Sequence, residues 1–367
     1  MEDTIKRFFE CLIPITSCNL KCNYCYVIQR DNRKMEIPKL KYSAERIGLA
    51  LTKERLGGTC YFSICGAGET LIPKDTIDIA YQLLKNGHFI NITTNGTLTK
   101  RFDEIELFPE EYRSRIHFAF SLHYNELKRL NLLETFFHNV KKVKSFGASF
   151  LVQINLVDEY LPYIEEIKEI CLKEIGAYPQ VAATRKEEDL KTEIELMTDL
   201  TKEEYIKIGE SFNSPLFSFT MKNFNKKREE FCYAGAWSGT LNLATGELSK
   251  CYGPNTVDIF KNIEKPIDFS PIGNNCCSLF CMNSSHFLSL GNIPELDTPS
   301  YSSLRNRPEA GWYTKRMENF LNQKLSDNNE VLDKKDMEFA NDRVKKMLKL
   351  VKVKRALKNR IKVIIGK

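Results

Sequence analysis

No stretch of this 367-residue chain strings together the ~20 apolar residues that a membrane-spanning helix requires, which excludes an integral membrane protein of that kind. The opening residues, MEDTIKRFFECLIPITSC, place acids where a signal peptide carries a basic region, and no long apolar stretch precedes a small-residue cleavage site. That pattern predicts a cytoplasmic protein. Histidines number only five and none pair at i, i+4, so they read as structural, with His123 the one placed to reach a pocket. A basic body is missing too. The net charge of +6 arises in residues 341–367, where eleven Lys and Arg face Asp342 alone, leaving the rest of the chain near −4. A nucleic-acid groove across the main body therefore has no support.

Cysteine, by contrast, is abundant. Twelve are present, too many for inert core positions, and a reducing compartment disfavours structural disulfides, so metal or redox chemistry is the better account. Cys18, Cys22 and Cys25 form one group near the start. Cys232, Cys251, Cys276, Cys277 and Cys281 form a second, while Cys11, Cys60, Cys65 and Cys171 are scattered.

Hydrophobic periodicity predicts six strands at 9–15, 60–65, 88–93, 116–122, 149–155 and 178–183, separated by helices near 43–56, 75–86, 101–114, 125–145 and 160–175. Ser43 and Asp75 fit as N-caps, Gly87 and Gly176 as stops. Strand–helix alternation of this kind builds a parallel α/β sheet with right-handed crossovers, either doubly wound or an incomplete barrel, and ligands bind at the carboxyl ends of its strands. After about residue 200 the pattern changes to a hairpin, WSGTLNLATGELSKCYG, turning at Thr245-Gly246, and then to a cysteine-rich, loop-rich stretch. Residues from about 309 read as helix. The expected division is 1–200, 201–308 and 309–367.

Cys18-Asn-Leu-Lys-Cys22-Asn-Tyr-Cys25 puts three thiolates on a short loop directly after the first strand. Three cysteines fill three sites of a 4Fe-4S cluster and leave one iron open; a zinc ion borrowing a distant fourth ligand is the competing reading. This loop resembles the signature of the radical S-adenosylmethionine (radical SAM) superfamily, with Tyr24 as the aromatic residue before the last cysteine. The resemblance implies a partial (β/α)6 TIM-like barrel, a 4Fe-4S cluster, and S-adenosylmethionine chelated at the open iron and cleaved reductively to a 5′-deoxyadenosyl radical. It covers about half the chain.

Later strand ends are similar to the family as well. Gly66-Ala67-Gly68-Glu69-Thr70 resembles its Gly-Gly-Glu-Pro turn, with Gly68 and Glu69 retained; the resemblance implies that this turn holds the methionine ammonium. Tyr24, Asn95, Ser121, Gln153, Asn155 and Arg185, at or near strand ends, are the other candidates to touch the cofactor. Cys65 ends strand two beside the Gly68-Glu69 turn and is the candidate hydrogen donor to a substrate radical.

The second cysteine group resembles a SPASM/Twitch extension, in its single-cluster form. Cys232, Cys251, Cys276, Cys277 and Cys281 can close four ligands around one auxiliary cluster, a 4Fe-4S centre by the resemblance, with one of Cys276 and Cys277 surplus; zinc suits four thiolates equally.

The expected activity is oxidation or epimerisation of a small polar molecule, a sugar or sugar derivative, with flavodoxin or ferredoxin as electron donor. Peptide or protein modification is the second reading, and a non-enzymatic iron–sulfur or zinc scaffold the third. The basic tail, 341–367, reads either as a helix lying on the inner face of an anionic membrane or as one docked on the barrel or frayed.

Overall fold

A computed structural model describes residues 3–186, 193–252, 256–276, 278, 280, 281, 284–346 and 349. Six strands run parallel, β1 (Arg7–Ile13), β2 (Cys60–Gly66), β3 (Phe89–Thr94), β4 (Ile116–Ser121), β5 (Ser149–Leu156) and β6 (Gln180–Ala183), paired in sequence order. All six predicted strands are present. The first starts two residues early because Phe8 donates its amide to the Trp237 carbonyl at 2.9 Å, recruiting a strand from much later in the chain.

That strand is β7 (Ser238–Asn242), parallel to β1. The hairpin continues antiparallel into β8 (Glu247–Ser249) and β9 (Thr256–Asp258), so one nine-stranded sheet runs β6-β5-β4-β3-β2-β1-β7-β8-β9. With β6 at one edge and β9 at the other, the barrel stays open. Gly246 takes the left-handed backbone the turn needs (φ 81°), and the Asn242 side chain accepts the Ala244 and Thr245 amides.

Ser43 caps helix Ala44–Ala50 as expected, accepting the Arg46 amide, and Gly176 ends helix Ile164–Ile175 at φ 77°. Other helices differ for local reasons. The 43–56 helix breaks so that Thr52 can cap a new turn, and 101–114 breaks at Pro109, which has no amide to continue the ladder. The 125–145 helix divides at Asn131, whose φ is 56°. Asp75 lies in the first turn of helix Asp75–Lys85, with Lys74 at the cap position, where its charge meets the positive helix end.

Side chains alternate between the two faces along each strand. Residues pointing outward, such as Phe9, Cys11, Phe62, Ile64, Phe118, Phe120, Val152 and Ile154, are fully buried beneath the helices. Those pointing inward divide by height. Near the amino ends, Phe8, Tyr61, Phe89 and His117 are sealed by the C-terminal segment: Phe320 stacks on Phe89 at 3.7 Å, and Tyr301 and Tyr313 pack edge-on against Tyr61 and His117. Near the carboxyl ends, Glu10, Cys65, Thr93, Ala119, Ser121, Gln153, Asn155, Thr240 and Asn242 are half-buried and Leu12 is exposed. The inner face is therefore plugged below and open above. The expected run of helix from 309 is instead Lys315–Asn322 and 334–346 with turns between, because this segment has to fold into the plug.

Candidate active site

The loop after β1 is bound to the turn after β2. Gly68 donates its amide to the Ile15 carbonyl at 2.6 Å and Glu69 its amide to the Ser17 carbonyl at 2.9 Å. A Cβ on Gly68 would overlap the Ser17 carbonyl, so only glycine fits. The other end of the loop is fixed by Arg33, which donates to the Cys18 carbonyl at 2.7 Å, and by the Cys25 amide, which donates to the Cys22 carbonyl at 3.0 Å.

Glu69 is buried, and its carboxylate accepts the Leu71 amide (3.0 Å), the Thr94 hydroxyl (2.7 Å) and the Asn95 amide (2.7 Å). Burial raises its pKa and the three donors oppose that shift. These bonds tie the β2 turn to the end of β3. Asn95 in turn donates to Asn19 at 2.8 Å and approaches the Cys18 sulfur at 3.9 Å.

These elements enclose a cavity of about 240 Å³ at the carboxyl ends of the strands. Cys18, Cys22 and Cys25 face it together with Tyr24, Cys65, Gly68, Glu69, Asn95, Ser121, Asn155 and Arg185. Of the residues singled out in the first half of the sequence, Gln153 alone is outside this wall; it pairs in register with Ser121, one inward-facing position below Asn155. Arg33, Thr94, His123 and Thr184 also line the cavity. His123 was the histidine placed to reach it. Thr94 belongs to the polar Thr94-Asn95-Gly96 end of the third strand, whereas Arg33 carries no sequence signal, since nothing local shows that it reaches back to the Cys18 carbonyl.

Burial raises the Cys18 thiol and pushes Cys22 up to about 12. A metal bound by these sulfurs would have to displace their protons, which would link its binding to pH. Burial also pushes Cys65 up to about 12, and the nearby carboxylates of Glu10 and Glu69 add to the effect. Its thiol keeps its hydrogen at neutral pH. The Tyr24 hydroxyl lies 2.7 Å from His123 Nδ1 and 2.7 Å from the Tyr160 hydroxyl.

Residues 12–169 match the model of the Radical SAM superfamily. They form a radical SAM domain. Its cofactors are a 4Fe-4S cluster and S-adenosylmethionine, and three thiols facing one cavity beside an open sheet end fit that pair. No curated protein matches the chain in sequence. Among solved structures, SuiB of Streptococcus suis bound to S-adenosylmethionine superimposes with a TM-score of 0.50 at 15% identity, over 72% of this chain and 66% of SuiB, just under two thirds of its length. At that identity the likeness is one of fold. The chain is also similar to anSMEcpe with bound AdoMet (TM-score 0.44, 14% identity, 77% of this chain and 83% of that one). BtrN in complex with AdoMet and 2-DOIA aligns at a TM-score of 0.27 and 10% identity, over 90% and 92%.

Beyond the radical SAM domain, the second cysteine group gathers as well. Cys232 exchanges amide–carbonyl bonds with Gly273, and the Thr240 hydroxyl on β7 donates to the Cys251 carbonyl at 3.1 Å. Cys232 and Cys281 pack against the same small apolar cluster, which includes Leu216, Leu288 and Leu304. Each of these two thiols feels the charge of Cys251 and Cys276, and burial, the larger cause, raises both. Cys277 is outside the described residues. Among the described residues, no three His, Cys, Asp or Glu side chains converge tightly enough to hold a single metal ion. A cubane spreads its ligands over separate irons and needs its sulfurs farther apart than one tetrahedral ion does. Cys11, Cys60 and Cys171 are core residues with no exposure.

Proposed function

We propose that this radical SAM enzyme oxidises or epimerises a small polar molecule, with a sugar or sugar derivative as the class its lining favours. The observation that carries this reading is the open half of the inner face. Thr93, Ser121, Gln153 and Asn155 present neutral groups that both donate and accept, as sugar hydroxyls require.

In this reading Cys18, Cys22 and Cys25 ligate the cluster. When bound, the cluster and S-adenosylmethionine supply the radical that removes a hydrogen atom from the substrate. The chain contributes position and exclusion of water. The Gly68-Glu69 turn supports the methionine end of the cofactor through its backbone and the Glu69 carboxylate, whose Oε2 accepts only the Asn95 amide from the chain. Tyr24, Asn95, Ser121, Asn155 and Arg185 orient the rest, and Gln153 faces the substrate below.

Cys65 is the proposed hydrogen donor for epimerisation. The substrate carbon loses one hydrogen atom and gains another from the Cys65 S–H on the opposite face, leaving a sulfur radical. One electron and one proton restore the thiol, the electron coming from a flavodoxin or ferredoxin. Cys232, Cys251 and Cys281, with Cys276 or Cys277, hold an auxiliary 4Fe-4S cluster in a module of SPASM/Twitch type. The tail, 341–367, adds contact with an anionic membrane. Residues 347, 348 and 350–367 fall outside those described, while Arg343 pairs with Asp268 at 2.7 Å and the Asn341 side chain accepts the Asn274 amide.

Anaerobic turnover of sugars and cyclitols in deuterated buffer tests the assignment. Deuterium incorporation without loss of mass marks epimerisation, and loss of two hydrogens marks oxidation. Modification of peptides with no reaction on any polyol would overturn it.

A further inference from the structure

The segment that continues the cysteine loop is basic. Residues 21–41 hold six Lys and Arg against two acids, Asp31 and Glu36, whereas the chain outside the tail sums to near −4. Lys41 pairs with Asp258 at 2.8 Å, and Arg33 is turned inward onto the Cys18 carbonyl. Lys21, Lys34 and Lys39 are exposed and meet no carboxylate at ion-pair distance among the described residues. Arg30 is exposed too, its guanidinium 5.8 Å from the centre of the Tyr26 ring. Interleaved with these cations are three large apolar side chains, Tyr26, Met35 and Ile37, at 40%, 53% and 54% exposure. Single exposed apolar residues are ordinary, but three so close together and rimmed by charge have the composition of a contact surface.

The segment is held in place along its length. Val27 is buried, and the Val27 carbonyl accepts the Asn32 amide at 2.9 Å. The Glu36 carbonyl accepts the Thr16 and Ser17 amides, and the Lys41 amide donates to the Ala244 carbonyl at 2.8 Å. The chain thus crosses the carboxyl end of β1, from the cysteine loop to the end of β7. Tyr26 directly follows Cys25, and both Cys18 and Cys25 are only half-buried. A partner covering this surface therefore sits against the outer side of the loop that carries the three sulfurs.

Reductive cleavage of S-adenosylmethionine takes one electron from outside the chain, and its donor must come close to those sulfurs. We propose that residues 26–39 are the docking surface for a small acidic one-electron carrier protein, with Arg30, Lys34 and Lys39 meeting its carboxylates and Tyr26, Met35 and Ile37 its apolar centre. The inference rests on the proposed ligation of the cluster by Cys18, Cys22 and Cys25. In the step the carrier is oxidised by one electron and the centre on the loop reduced by one, with no covalent bond made or broken. Opposite charges speed the encounter, and salt screens them. The basic tail attracts an acidic protein as well, but it is the same in every variant compared below.

The test mixes reconstituted full-length protein anaerobically with reduced flavodoxin or with dithionite. Freeze-quench electron paramagnetic resonance follows the signal that changes when S-adenosylmethionine is added, and iron content is measured in parallel. Lys34→Glu with Lys39→Glu should slow reduction by flavodoxin about tenfold at low salt and weaken its salt dependence, with the dithionite rate and iron content unchanged. Lys85→Glu with Lys173→Glu makes the same charge change at exposed positions in the last turns of two helices that lead into the amino ends of β3 and β6; it should leave both rates near wild type. Should the first variant lose iron, Lys34→Gln with Lys39→Gln decides, with a smaller slowing expected. An unchanged flavodoxin rate in the loop variant, an equal slowing in the distant one, or a wild type that dithionite reduces and flavodoxin does not, each overturns the inference. A wild type with full iron and no such signal even under dithionite instead removes the underlying ligation.

Discussion

Gly68 and Ser17 touch so closely that a Cβ on Gly68 would overlap the Ser17 carbonyl oxygen. The contact locks the turn after β2 onto the loop that carries the three cysteines. Gly68→Ala should therefore displace that loop, reducing iron bound at the first site while leaving the second cysteine group loaded. Iron and sulfide analysis after reconstitution reads this directly. Wild-type iron content in Gly68→Ala would show that the loop has slack that the geometry denies it.

Glu69 accepts three hydrogen bonds, two of them from backbone amides that reach different oxygens. Glutamine in its place must turn its amino group towards one of those amides, whichever way it flips. An unpaired buried donor costs about 1–3 kcal/mol. Glu69→Gln should lower stability in chemical denaturation by that order, and Thr94→Val, which removes a donor to Glu69 and leaves the Gly96 amide without its acceptor, by a similar amount. The pH dependence has a definite sign. Burial holds the folded-state pKa of Glu69 above its unfolded value, so this group favours the folded state more as pH falls through that range and less above it.

Much of this site is legible in the sequence because strand ends are local features. The spacing of Cys18, Cys22 and Cys25, the Gly68-Glu69 turn and the polar residues Asn95, Ser121 and Asn155 follow from where six apolar runs stop. Gln153 shares a face with Asn155 and stands in register with Ser121, yet it lies outside the cavity wall that both of them line, and nothing local in the sequence separates the three. The pairing of β7 with β1 has no local signature at all. It joins residues more than 200 positions apart, and only the open edge of β1 in three dimensions reveals the need for a neighbour. The same holds for the plug beneath the barrel, where Phe320 meets Phe89.

Cys65 keeps its hydrogen at neutral pH because burial and two nearby carboxylates push it up to about 12. If it returns a hydrogen atom to the substrate, Cys65→Ala should consume S-adenosylmethionine with little epimer formed. The step should also hold its rate from pH 7 to about 9, well below the thiol pKa. Epimer yield per cofactor cleaved, measured for both proteins across that range, decides the point; an unchanged yield in Cys65→Ala excludes it as donor.

The two cysteine groups should fail differently. Cys232→Ala or Cys251→Ala should spare some cofactor cleavage while losing product, since these sulfurs stand apart from the cavity that holds Cys18, Cys22 and Cys25. Cofactor cleavage and product, quantified together by mass spectrometry, separate the two effects. Loss of both in equal measure would mean that the second group supports the first cluster.

For the tail, each basic residue near an anionic surface adds about 1 kcal/mol to membrane binding, and residues 341–367 hold eleven. Full-length protein should cosediment with phosphatidylserine vesicles at low salt, and the chain ending at residue 340 should not. Equal sedimentation of the two would assign the tail to the barrel.

The most direct test of radical chemistry at the three-cysteine loop is 5′-deoxyadenosine released from S-adenosylmethionine under anaerobic reduction. The wild-type protein should form it, and the variant with Cys18, Cys22 and Cys25 all changed to Ala should form none. Release by that variant at the wild-type level, or none by a wild-type protein carrying its full iron, would contradict the account.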